Sequence, residues 1–134
     1  MNQFASGSII RCRFVKKSGA GTVAQNDTAG GPCVGISGDA GNNPSIPLNT
    51  DDPPYAAKNG QQLYVHGSFQ GNDFPCLQIG SGGCSVGTLL KSDNAGKGVA
   101  ASANGDWIHA IAMEAGAEDA LVKVQWMTSV RYVA

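Results

Sequence analysis

Glycine and proline break this chain so often that long helices have little room and turns must be frequent: its 134 residues include 19 glycines and six prolines. Between the breaks lie short apolar runs, several with the period-two alternation of strands. The length suits one domain burying roughly two thirds of the surface its unfolded chain exposes. Hydrophobic residues make up 42%, as in globular proteins, yet only 14% are charged, well below the ~25% of an ordinary soluble domain. A turn-rich fold with few charges keeps its solubility by covering part of its surface, so the composition points to association. The net charge of −1 removes the broad positive footprint of a nucleic-acid binder.

Residues 1–8 are small and polar, lack periodicity, and read as a flexible arm. In residues 9–15, Ile10, Cys12 and Phe14 alternate with Arg11 and Arg13, the pattern of a half-buried strand. Turn chemistry fills residues 18–32 around a short Thr22-Val23-Ala24 core, and Cys33-Val34-Gly35-Ile36 is a second strand. Residues 37–54 hold four prolines without periodicity and read as a long interaction loop. Strands then recur at 61–67, 74–80, 84–91, 99–103, 107–115 and 120–126, with a polar turn at 92–98 and a hairpin signal at Asn104-Gly105. Helix is the rival reading for 108–121, but Gly116 and the β-branched residues after it argue against one long helix. The expected fold is all-β: a compact antiparallel barrel or sandwich with long loops, a flexible N-terminal arm and at most short helical turns. It divides into an arm at 1–8 and a single domain at 9–134.

The opening residues have neither a basic nor an apolar segment of the kind a secretory leader needs, and no apolar run approaches the ~18 residues of a membrane span. The reading is a soluble chain made in a reducing cytosol, with no membrane partner. Cys12, Cys33, Cys76 and Cys84 lack the paired spacing of a zinc site; most adjoin apolar residues and read as free core thiols ahead of disulfides.

A catalytic centre finds little support. His66 and His109 each lie in a strand pattern without a second ligand at metal spacing, and read as partly exposed strand residues. Asp106 sits at an odd offset from His109, which puts the two on opposite faces of a strand. Asp51-Asp52 beside Pro53-Pro54 is turn chemistry. Ser92-Asp93-Asn94 matches one β-lactamase motif without its partners, and Gly80-Ser81-Gly82-Gly83 lacks the helix and Gly-Lys of a phosphate cradle. No catalytic, metal or cofactor residue is assigned. Arg11, Arg13, Lys16 and Lys17 cluster ahead of the first acidic residue, Asp27, and suit either a solvated strand face or docking to an acidic surface. Phe4, alone among small polar neighbours, suits either an anchor in a partner groove or packing on its own domain.

Three segments of the second half carry a resemblance: residues 86–100 (Val86-Gly87-Thr88-Leu89-Leu90-Lys91-Ser92-Asp93-Asn94-Ala95-Gly96-Lys97-Gly98-Val99-Ala100), residues 105–115 around Ala112-Met113-Glu114-Ala115, and Leu121-Val122-Lys123-Val124. Together with Cys33-Val34-Gly35-Ile36 and Gly60-Gln61-Gln62-Leu63-Tyr64-Val65, this resembles the tailed-phage capsid cement, or head decoration, family. The resemblance implies a non-enzymatic β-rich virion protein on the outer capsid surface, made in the host cytoplasm and bridging major capsid protein subunits. It implies self-association too, a homotrimer ahead of a homodimer. The candidate capsid or oligomer contacts are Asn2, Gln3 and Phe4 of the arm, Arg11 and Arg13, Ile46 and Leu48 of the long loop, and Tyr55. The alternatives are a small β-barrel module stacking glycan or host surface on Tyr55, Tyr64 or Trp107, and an enzyme using His109, Asp106 and Glu114.

Overall fold

The computed structural model describes residues 2–40, 55–67 and 75–133. In chain order its strands are β1 (Asn2–Ala5), β2 (Ile9–Ile10), β3 (Phe14–Gly19), β4 (Thr22–Gln25), β5 (Gly35–Ala40), β6 (Tyr55–Ala57), β7 (Gln62–His66), β8 (Cys76–Gln78), β9 (Leu89–Ser92), β10 (Gly98–Ala100), β11 (Trp107–Ala112) and β12 (Leu121–Arg131). The described residues are all-β and contain no helix, as the glycine and proline spacing requires.

Two sheets form side by side. The first is a closed barrel in the order β1-β4-β3-β5-β7, and the second runs β10-β9-β11-β12-β8. An Ile79–Gly98 bridge, with Gly80 N–H donating to Gly98 O at 2.8 Å, brings the two ends of the second sheet together. The β2-β6 pair lies beside the barrel, and Ile9, Ala56 and Ala57 pack with Ala5, Val15, Val23, Leu63 and Val65 of the barrel strands into one core. Phe14 and Ile36 are buried in the other core, with Leu77, Ile79, Leu90, Ala110, Val122 and Val124 of the second sheet. Because Phe14 pairs with Ile36 in register while the adjacent Val15 belongs to the barrel core, the β3–β5 wall contributes to both cores. Alternation along one strand produces that division.

Several expectations need correction. Residues 2–5 of the supposed flexible arm are a barrel strand. β1 is parallel to β4, with Phe4 opposite Thr22, and antiparallel to β7, with Gln3 opposite Leu63. Its main chain is satisfied on both sides, so a four-residue segment with no apolar pattern is still a strand. The strand expected over 9–15 is two strands, broken where Cys12 adopts φ 61°. The break interrupts the alternation: Phe14 is buried as expected, but Ile9, Arg13 and Val15 are buried too, while Ile10, Arg11 and Cys12 are only partly covered. Residues 37–40 of the loop expected over 37–54 are strand, since β5 continues to Ala40; residues 41–54 lie outside the described residues. The segments expected as strands at 33–36, 61–67, 74–80, 84–91, 99–103, 107–115 and 120–126 each contain strand residues, but β5 starts only at Gly35 and β9 only at Leu89, and β10 stops at Ala100 and β11 at Ala112. The Thr22-Val23-Ala24 core read among turns is β4, and the helical alternative for 108–121 is replaced by β11, a turn and β12.

Candidate functional site

Two surfaces can be built from the residues upward: the joint between the sheets, and the solvent face of the second sheet.

The joint is made by the polar turn at 92–98. Asp93 Oδ1 accepts the N–H groups of Ala95 (2.8 Å) and Lys97 (2.9 Å), which shapes the turn around Gly96 at φ 80°. The turn then presents carbonyls to the barrel. Ala95 O accepts from Arg13 Nη1 at 2.8 Å and Gln25 Nε2 at 2.9 Å, and Gly96 O accepts the Phe14 N–H at 2.7 Å. A β-carbon at Gly96 would meet the Phe14 carbonyl and the Arg13 side chain, so glycine is needed for close approach as well as for its backbone angle. Asn26 Nδ2 donates to Ser92 Oγ at 2.8 Å inside the joint, and Asn94 Oδ1 accepts the Ala29 N–H at 2.9 Å. The Ser92-Asp93-Asn94 motif is therefore a latch between two sheets.

His109, expected to be partly exposed, is fully buried. It stacks on Trp126 (centroids 5.2 Å apart) and meets Phe14 at a tilt. The Cys33 N–H donates to His109 Nε2 at 3.0 Å, which makes that nitrogen the acceptor of a neutral ring; the Gly31 carbonyl lies 3.2 Å from the same atom. Burial pushes the imidazole pKa below its ordinary value, against a smaller opposing effect of the Gly31 carbonyl. Beside it the buried Cys33 thiol is pushed up to about 12, a non-nucleophilic state. Asp106 is held below the usual carboxylate range by Lys91, whose Nζ lies 2.8 Å away, and accepts the Ala103 N–H at 3.0 Å, closing the Asn104-Gly105 turn. Glu114 Oε1 accepts the Lys123 N–H at 2.8 Å. The three residues of the enzymatic alternative are thus engaged in separate structural roles.

The expected contact residues do not converge. Gln3 is buried, opposite Leu63 of the barrel core. Phe4 is 52% exposed. The Asn2 backbone stands opposite Tyr64 in register. Arg13, expected on a solvent face, is buried, with Nε donating to Gln78 Oε1 at 3.0 Å and Nη1 committed to the latch. Arg11 is half-buried, and Tyr55 is half-buried with the Lys58 ammonium 5.9 Å from its ring centroid. Ile46 and Leu48 lie outside the described residues. Of the aromatics suggested for glycan stacking, Trp107 carries the Arg131 guanidinium 4.3 Å from its ring centroid, and Tyr64 meets His66 edge-on at 4.7 Å.

What sequence reading missed is the solvent face of the second sheet. Leu89 pairs directly with Ile111, which pairs on its other side with Gln125. Met113 follows at the next position of the same face, its N–H bonded to Lys123 O at 2.9 Å, and Leu121 lies two residues from Lys123 along β12. Leu89, Met113 and Leu121 are exposed at 37, 44 and 52%, and Val86 at 71% in the turn leading into β9. The signal was present as large–small alternation in β11, with its sense inverted. Ala110 and Ala112 face the core, where Phe14, Leu90 and Trp126 already fill the space, and the larger Ile111 and Met113 lie on the opposite face.

No family model and no curated protein matches the chain. Among solved structures, the N base of head fiber gp8.5 of bacteriophage phi29 is similar to it with a TM-score of 0.47 at 17% identity, over 95% of this chain and 92% of that one.

Proposed function

We propose that this chain is a non-enzymatic structural protein of a tailed-phage virion that binds the outside of the assembled capsid and bridges major capsid protein subunits. The observation that carries the reading is the apolar solvent face formed by Leu89, Ile111, Met113 and Leu121. Exposed apolar side chains gathered on one face of a sheet, with Lys123 and Gln125 among them, suit a contact surface, and methionine is enriched at interfaces. The sequence resemblance to capsid cement proteins supplies the partner, and self-association as a trimer, ahead of a dimer, would repeat the face around an axis. β1 is paired on both edges within its own barrel, so the capsid contact is assigned to the side chains of this face.

The test uses capsids assembled without this chain. Wild-type protein added back should co-sediment with the shells and raise their resistance to heat. Leu89→Asp/Met113→Asp should keep the wild-type melting curve and bind at least tenfold more weakly. Shells that acquire no protein and gain no robustness would overturn the function; undiminished decoration by the double variant would overturn the assignment of the face.

A further inference from the structure

β1 is held in the barrel almost entirely by its main chain. Phe4 N–H donates to Gly21 O at 3.0 Å, Ala5 N–H to Gln61 O at 2.8 Å and Ser6 N–H to Val23 O at 2.8 Å, while Ala5 O accepts the Gly60 N–H at 2.8 Å. Its side chains add little. Ala5 is the one buried apolar residue among those described in the strand, and Phe4 points outward. Gln3 takes an inward position opposite Leu63, and its Oε1 is the one buried side-chain oxygen or nitrogen among the described residues without a hydrogen-bond partner. An amide oxygen withdrawn from water without a donor opposes burial of the strand that carries it. The pairing to β4 is parallel and only two residues long. The connection to β2 runs through exposed Ser6, Gly7 and Ser8; Gly7 has φ 85°, and the one side-chain bond to its main chain among the described residues is from its N–H to exposed Asn59 Oδ1 at 2.9 Å.

We infer that β1 is an exchangeable strand, and that the slot it fills between β4 and β7 is an intermolecular site for β1 of a second copy of this chain. Withdrawing β1 leaves unpaired groups on both flanking strands over an apolar interior, and such a gap needs an extended segment. The segment whose register and inward–outward order fit it is another β1. Exchange remakes every main-chain bond that β1 makes in its own barrel, so its net cost is confined to the hinge and to association. The inference stands whether or not the chain binds a capsid.

The test joins Phe4→Cys to Gln62→Cys, an outward pair in register across β1 and β7. Isotopically heavy and light double-variant chains are mixed under reducing conditions, incubated, oxidised and digested. Exchange predicts 4–62 cross-links joining one heavy and one light peptide, increasing with concentration and several-fold more abundant than mixed 4–4 and 62–62 links. Adding Gln3→Leu, which removes the unpartnered oxygen and so opposes withdrawal of β1 from its slot, should slow the appearance of mixed 4–62 links several-fold. Mixed 4–62 links no more frequent than the other two would overturn the inference. An independent reading comes from wild-type amide hydrogen exchange: Ala5 and Ser6 should exchange at least tenfold faster than Ala112, and equal protection would overturn it.

Discussion

The two cores of this molecule solve the same burial problem with different material. The barrel core is lined by small and β-branched side chains (Ala5, Val15, Val23, Ala56, Ala57, Val65), with Ile9 and Leu63 the bulkiest. The core under the second sheet holds Phe14, Leu77, Ile79, Leu90 and the partly buried Trp126, and it borders the joint, where polar bonds are satisfied. A core of large interlocking groups with saturated polar partners fixes one arrangement. A narrow barrel, one of whose strands contributes a single buried alanine, depends on hydrogen bonds that another strand could supply as well. Rigidity thus sits beneath the apolar solvent face, and adaptability sits at β1.

The sharpest way to break this comparison is at Phe14, which belongs to the barrel wall but is buried in the other core. Phe14→Ala should cost about 3–5 kcal/mol in urea unfolding, and Leu63→Ala in the barrel less than that, toward the lower end of about 2–5 kcal/mol; a reversed order would mean the barrel is the more tightly packed half. Next in size is the joint. Asn26→Ala leaves Ser92 Oγ without its buried donor and should cost roughly 1–3 kcal/mol. If sheet and barrel then melt in two separate transitions, the latch is what makes them one cooperative unit.

The smallest effect is a pH dependence. His109 has a lowered pKa in the fold, so below the ordinary imidazole value of 6.5 the unfolded chain binds more protons than the folded one. Stability is therefore fully present above that value, declines as pH falls through it, and levels off below the folded pKa. Melting temperatures measured from about pH 7.5 to about pH 5 should fall, and His109→Gln should flatten most of that slope. Asp27, held low by Lys16, and Asp106, held low by Lys91, lose their contributions only in the more acidic carboxylate range. An unchanged slope in His109→Gln would move the acid sensitivity out of this core.

Much of the fold was legible because strands announce themselves locally. Cys33-Val34-Gly35-Ile36, the 62–66 run and 121–126 each show apolar residues at strand spacing, whereas Asn104-Gly105 forms a turn without the signalled hairpin, because β10 and β11 each pair with β9 and not with each other. The failures share a cause, since each depends on a partner distant in sequence. β1 is a strand because Thr22 and Leu63 lie beside it, and nothing within residues 1–8 encodes that. Arg13 is buried because Gln78 and Ala95, 65 and 82 positions away, accept its guanidinium. His109 is buried because the Cys33 amide, 76 positions away, supplies its polar partner. The solvent face was hidden for a different reason: alternation shows that a strand has two faces but not which of them meets the core.

The Ile79–Gly98 bridge has a consequence for crowded solutions. With the ends of the second sheet drawn together and the first sheet closed into a ring, neither offers a long ribbon of vacant amides to a neighbour. Strand exchange preserves that cover, because each ring is completed by one copy or another. Molecules of this design can stand shoulder to shoulder at very high local density without their sheets zipping edge to edge.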